Sequence, residues 1–231
     1  MRRFWTEVTI VPESGGFALR LDGKPMRLPA SGALTIPHRP LADAMAAEWR
    51  DAPPVIGPAD LPLTRLATAA TSQIAPDPAP LSANLLAYGR TDLLCYRADA
   101  PDSLIALQHA QWQPWLDWAA ERFAARLETT HGIVAITQPE EAIRALARVL
   151  ATQDHWALAG LGVAVPALGS LILGLAAITG ALSASAAHDL ARLDEDWQER
   201  QWGTDAESTA RRALVARDIA SAVSFVNLTR A

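Results

Sequence analysis

The chain has 231 residues, half of them hydrophobic and 19% charged, enough to bury a sizeable core in one or two domains. Its formal charge of -5, with the positives scattered, excludes the basic excess that nucleic-acid backbones require. A single cysteine, Cys95, excludes an internal disulfide and a Cys-x-x-Cys redox or zinc motif, and reads as a small core residue in a reducing compartment.

The opening, MRRFWTEVTIVPE, has a basic pair but no apolar run, so no secretory signal is expected. TEVTIVPESGGFALRLDGKPMRL reads as three strands joined by a Gly-containing turn and an Asp22-Gly23 turn. Val8 and Ile10, then Phe17, Leu19 and Leu21, alternate as strand residues do. A fourth short strand, ALTI, precedes Pro37. LADAMAAEWRD has helical spacing, with Leu41, Met45, and Glu48 or Trp49 on successive turns, and stops at the Pro-rich APPVIGPADLP. LTRLATAATSQI predicts a further short helix and IAPDPAP a hinge. Twelve of the sixteen prolines fall in the first eighty residues, so the composition changes near residue 80.

Beyond the hinge the signals are helical. Asp102 is placed to cap DSLIALQHAQW, and Pro114 predicts a kink or a fresh start before WLDWAAERFAARL. Trp112, Trp115, Phe123 and Leu127 share one side and are expected in the core. Thr137 with Pro139 opens PEEAIRALARVL, where Ile143, Leu146 and Leu150 repeat at helical intervals. Residues 156–187 carry no Asp, Glu, Lys or Arg, but Gly and Pro interrupt them and no basic cluster flanks them. A buried central helix is therefore expected there, not a membrane span. Within it Pro166 is expected in a first helical turn and Gly180 at a helix end. Ser183 is expected to cap the helix that Gly203 ends. Thr204 with Glu207 should form a capping box for a last helix whose stripe is Val215, Ile219, Val223 and Val226. The expected fold is α+β, a small N-terminal β-rich domain over 1–80 followed by a larger α-helical bundle over 81–231.

Familiar catalytic signatures are missing. The sequence has no phosphate loop, no complete dinucleotide fingerprint at Gly160-Leu161-Gly162, and no nucleophile elbow at Gly169-Ser170. His38, His109, His131, His155 and His188 form no i,i+4 ligand pair, so neither a metal nor another cofactor is expected. The densest charge lies in RLDEDWQERQWG, residues 192–203. On a helical wheel Leu190, Leu193 and Trp197 form a stripe for burial, whereas Glu195, Glu199 and Trp202 form a separate line. Glu195 can pair with Arg192, and Asp196 with Arg200, each pair contributing about 0.2–0.5 kcal/mol. Adjacent carboxylates at Asp194, Glu195 and Asp196 point in different directions, which is poor geometry for an acid and base pair. One reading is a solvated acidic face. A sharper one is a grip on another protein, because an aromatic beside carboxylates combines contact area with steering charge. A third is a small hydrolase with an acidic site around Glu195, Asp196 and Glu199.

At FWTEV, GGFALRLDGKPMRLPA, LADAMAAEW, LPLTRLATAA, YGRTDLLCYRA, WLDWAAERF and LDEDWQERQWG the chain resembles the F(1)-ATPase assembly chaperones of the "Atp twelve" type, over nearly its whole length. The matching positions include Trp49, the run Pro62, Leu63, Thr64 and Arg65, then Asp92, Tyr96, and the acidic cluster with Gln198, Trp202 and Gly203. His38 and Gln113 depart from the pattern, standing where a hydroxyl cap and an acid are usual. The resemblance implies a non-catalytic chaperone that holds the unassembled alpha subunit of the ATP synthase F(1) sector and shields the face later covered by the beta subunit. It implies no small-molecule substrate, nucleic acid or membrane insertion. The expected setting is the bacterial cytoplasm, with the mitochondrial matrix as its equivalent in eukaryotic relatives. Protein contacts are expected at Glu195, Asp196, Gln198, Trp202, Leu63, Thr64 and Arg65. Core packing is the competing role for Trp49 and Leu63, and Arg65 is placed to tie the two domains together through a carboxylate.

Overall fold

The computed structural model describes residues 1–28, 32–57, 59–132, 134–203 and 206–231. It divides into two compact units, one of Met1–Pro78, His155–Gly160 and Ser221–Ala231, the other of Ala79–Asp154 and Leu161–Ala220. Strands gather at the N-terminus and helices dominate the rest, an α+β fold.

In the first unit β1 (Val8–Glu13) and β2 (Gly16–Leu21) form an antiparallel hairpin, Val8 opposite Leu21 and Ile10 opposite Leu19. β3 (Lys24–Pro25) pairs with β2 across a turn in which Asp22 and Gly23 have φ of +48° and +76°, the positive angles a two-residue hairpin requires. The Asp22 carboxylate fastens this turn by accepting from the Thr6 and Glu7 N–H groups and the Thr6 hydroxyl. β4 (Arg27–Leu28) and β5 (Gly32–Ala33) make a two-stranded ribbon, and β6 (Thr35–Ile36) pairs with β2.

α1 (Arg39–Asp51) starts with a proline in its first turn and buries Leu41, Met45 and Trp49 at four-residue intervals against β1 and β2. Each such burial contributes about 1.5–3 kcal/mol. His38 makes no side-chain cap for this helix, and its ring instead meets Trp156 edge-on at 5.5 Å. α2 (Pro62–Ala69) runs on into a π-helical turn, Ala70–Ile74.

In the second unit α3 (Ala79–Arg90) leads to a short 3-10 turn, Leu93–Cys95, and then to β7 (Tyr96–Arg97). α4 (Asp102–Phe123) follows, then β8 (Thr130–His131), parallel to β7, and α5 (Glu140–Ala151). α6 (His155–Leu168), α7 (Leu171–Ile178), α8 (Ala184–Ala191), α9 (Leu193–Trp202) and α10 (Ala206–Leu228) complete the chain.

Asp92 is the polar node of this unit. It is fully buried, and its two oxygens accept from the N–H groups of Leu94 and Ile172, each at 3.1 Å. One carboxylate thus caps the 3-10 turn and, with Ser170, the start of α7. Burial pushes its carboxyl up to about 6, against the pull of those hydrogen bonds. Burial likewise pushes the Cys95 thiol up to about 12, as suits an inert core residue.

Several local expectations change in three dimensions. Asp102 is the first helical residue of α4 and Pro101 its cap; Pro114 lies within a helix that continues past it. Trp112 is fully buried, whereas Trp115 and Phe123 are half-exposed, because the stripe that faces inward is Leu104, Gln108, Trp112, Leu116 and Ala119. Pro166 sits in the last turn of α6, not a first turn. The apolar stretch 156–187 is no single helix: Ser170 starts α7 and Gly180 follows its end, and no helix among the described residues is long and apolar enough to cross a membrane. The helix from Ser183 to Gly203 is broken at Arg192 into α8 and α9. The Thr204 and Glu207 capping box lies outside the described residues, but Ile219, Val223 and Val226 are buried as the stripe requires.

Candidate functional site

The break at Arg192 gives the acidic run its geometry. α9 restarts at Leu193, so Asp194, Glu195 and Asp196 fall in its first turn, where the helix dipole favours negative charge, and Arg200 falls in its last. Asp194 turns inward. It accepts from the Gln108 amide at 2.7 Å, and burial raises its carboxyl above the ordinary value. Gln108 is itself fully buried; its carbonyl oxygen accepts from Ala98 N–H, and its backbone carbonyl accepts from buried Arg97, whose guanidinium lies 5.3 Å from the Trp112 ring. Trp112 Nε1 donates to the Leu190 carbonyl at 2.8 Å. α4 therefore holds the junction of α8 and α9 through two polar anchors, Gln108 to Asp194 and Trp112 to Leu190, and Leu190 and Leu193 supply the apolar seal.

The other carboxylates converge on guanidinium groups. Arg192 reaches Glu195 at 2.6 Å, Glu199 at 2.9 Å and Asp196 at 3.2 Å. Arg212 of α10 meets Asp196 at 2.5 Å and also pairs with Glu199. The expected Glu195 to Arg192 pair forms. Asp196 turns to Arg192 and Arg212 instead of Arg200, because two half-buried guanidiniums on one side outweigh a single exposed one.

These groups border a cleft of about 750 Å³. Glu195, Gln198, Glu199 and Trp202 line one wall, Arg211, Arg212 and Val215 another, with His188, Arg192 and the 167–169 segment behind. Trp202 is 76% exposed, the most open large apolar side chain among the described residues, and meets Trp197 edge-on at 6.4 Å. Trp197 itself is half-buried, so the stripe expected for burial is complete only through Leu193. Of the expected contact residues on α9, Glu195, Gln198 and Trp202 line this cleft, while Asp196 borders a second depression of about 560 Å³ with Trp115 and Arg200.

Leu63, Thr64 and Arg65 belong to the first unit and form their own arrangement. Thr64 is 9% exposed; its hydroxyl accepts from Trp49 Nε1 at 2.9 Å and donates to Glu48 at 3.1 Å. Glu48 also accepts the N–H groups of Leu63 and Thr64, capping α2 from α1. Burial raises the Glu48 carboxyl, partly offset by these hydrogen bonds and by the charge of Arg65. Trp49 is 7% exposed and donates to Thr64 while its own carbonyl accepts from Trp5. Trp49 and Thr64 thus serve packing, Leu63 is half-buried, and Arg65 remains the exposed member of the run.

Sequence reasoning did not assign Arg212, His188, Arg211 or Val215 to the site; Val215, expected on the buried stripe of the last helix, is half-buried on the cleft wall. No local spacing connects Arg212 to Asp196; the approach of α10 creates that pair.

Residues 2–120 match the family described as ATP12 chaperone protein. The whole chain is similar to the crystal structure of Atp12 from Paracoccus denitrificans, at 42% identity, covering 99% of this chain and 98% of that one, with a TM-score of 0.92. A protein from Agrobacterium tumefaciens of known structure is 40% identical, with 98% and 85% covered and a TM-score of 0.92. The mitochondrial protein atp12 of Schizosaccharomyces pombe is 26% identical over 215 residues, 88% of this chain and 74% of the yeast protein.

Proposed function

We propose, for a chain that belongs to the ATP12 chaperone family of ATP synthase assembly factors, that its client is the unassembled alpha subunit of the F(1) sector and that α9 forms the centre of the surface that holds it. The observation that carries this reading is Trp202, a fully formed indole left 76% open to solvent on the rim of a charged cleft. Exposing so large an apolar side chain forgoes its burial energy in the free protein, and a partner that covers it recovers that energy. Glu195 beside it is 62% exposed in its side chain and steers a positively charged surface toward the indole. Asp196 and Gln198 complete the face of α9, and Arg65 with Leu63 supplies a second contact region.

The chaperone acts without turnover in the bacterial cytoplasm. It lends its surface until the beta subunit displaces it, so a modest affinity serves better than a tight one. The test is a pull-down and titration of purified chain against isolated alpha subunit, with beta subunit as the control. Alpha alone should be captured and kept soluble. Capture of beta in its place, or turnover in a hydrolase screen run with and without divalent metals, refutes the reading.

A further inference from the structure

Arg212 occupies an unusual position. Asp196 and Glu199 already have a guanidinium in Arg192, and Arg212 brings them a second. Along the helix that carries it Ala210, Arg211, Ala213 and Leu214 are exposed, and Arg211, Arg212 and Val215 line the cleft. Leu214 is 54% open, beside the half-buried Val215. An ion pair that solvent still reaches, as here with the Arg212 side chain 33% exposed, is one in which a competing ion can take a partner's place.

A second observation concerns the back of the same cleft. His188 is more than nine-tenths buried and lines it, yet its Nε2 has no hydrogen-bond partner. Its Nδ1 lies 3.6 Å from the Asp189 carboxylate, and with the ring proton on that side Nε2 is a buried acceptor without a donor, on a residue that lines the cleft. Such an acceptor calls for a donor. The carboxylate of Glu195 and the open face of Trp202 have the same preference, the first for a cation with N–H groups and the second for a planar one that can stack on it. These three features together describe a guanidinium.

Resting on the reading that the client docks at α9, we propose that the cleft is a receptor for an arginine side chain of the client and that Arg212 is its internal place-holder. The client guanidinium displaces that of Arg212, stacks on Trp202, and takes over the bonds to Asp196 and Glu199. One guanidinium replaces another while Arg192 stays in place, so the half-buried carboxylates are never left unpaired during exchange. Client binding is correspondingly weakened by the competitor the protein carries, which suits a holder that must let go.

The experiment titrates N-acetylarginine amide into the full chain, with N-acetylcitrulline amide as the neutral isostere, and follows the Trp202 indole N–H by NMR. Wild type, Arg212→Ala and Arg212→Ala/Glu199→Gln are compared. Arginine amide should bind Arg212→Ala about tenfold more tightly than wild type, citrulline amide should not bind, and the double variant should lose the gain. Arg212→Lys, which keeps the charge and loses the fork, should fall between. Equal affinity of wild type and Arg212→Ala, or equal binding of citrulline, overturns the proposal. So does collapse of the fold in Arg212→Ala, which makes the residue a strut. Alpha-subunit capture on the same proteins separates the two claims. If none captures alpha while arginine amide still binds as expected, the client assignment falls and the receptor stands. If all capture alpha equally, the client assignment stands and the place-holder falls.

Discussion

Thr64→Val tests whether the segment from Pro62 to Arg65 is recognition or architecture. The substitution keeps the branched shape and removes one hydroxyl, which accepts from Trp49 Nε1 and donates to Glu48 Oε2. Solvent barely reaches this site, so the Trp49 N–H is left without an acceptor, at a cost of about 1–3 kcal/mol. The hydrogen bond lost to the Glu48 carboxylate contributes about 1.5–3 kcal/mol more, and the added methyl returns about 0.8 kcal/mol. The first unit should therefore lose about 2–5 kcal/mol. Urea unfolding followed by tryptophan fluorescence measures this as a lower midpoint with unchanged slope. Below its midpoint the variant should still capture alpha subunit with wild-type affinity. A loss under about 1 kcal/mol with Trp49 still in place would refute the hydrogen-bond reasoning. Normal stability with lost capture would make Thr64 a contact residue after all.

Asp92→Asn addresses pH. The Asp92 carboxyl is raised from 3.8 to about 6, so the native state holds its proton more tightly than the unfolded one, and the resulting stability is complete below pH 3.8 and lost as pH rises through 6. That rise, at about 1.36 kcal/mol per pH unit, predicts that wild type loses about 3 kcal/mol relative to Asp92→Asn between those pH values and nothing further above them; parallel urea profiles for the two proteins would contradict it. Gly16→Ala should destabilise the hairpin by about 2 kcal/mol or more, since φ is +146° and the added methyl meets the Ile36 carbonyl carbon and Pro37 Cα at 2.7 Å, backbone atoms that cannot turn aside. Thermal unfolding and loss of the amide protection of Ile36 report it. Trp202→Ala should leave the unfolding midpoint within about 0.5 kcal/mol of wild type and weaken alpha-subunit capture by about 2 kcal/mol, roughly thirtyfold by titration calorimetry; the reverse pattern would assign the indole to packing.

What the sequence disclosed and what it hid follow from the range of the forces involved. The first hairpin was legible because alternation and an Asp-Gly turn are short-range signals, and the register Val8 to Leu21 follows once the turn is placed. The stripe of α1 was equally plain, since burial repeats every four residues. The apolar segment 156–187 misleads because its residues are apolar whichever way they face, α7 being buried all round, and the signals that divide it are a serine whose hydroxyl caps α7 and a glycine past its end. The acidic run is the harder lesson. As part of one long helix its three acids look like a solvated face; with a start at Leu193 they become first-turn residues, one drawn inward by Gln108 and two gathered by Arg192. That start is set by α4, where Trp112 holds the Leu190 carbonyl from 78 residues away. Trp202 could be placed off the buried stripe from the wheel alone, because a wheel reports orientation. Arg212 could not, because no wheel reports which helix arrives opposite. Pairing across α9 and α10 is therefore the part of the site that only three dimensions reveal, and it decides whether the acidic cluster is available to a client or already answered from within.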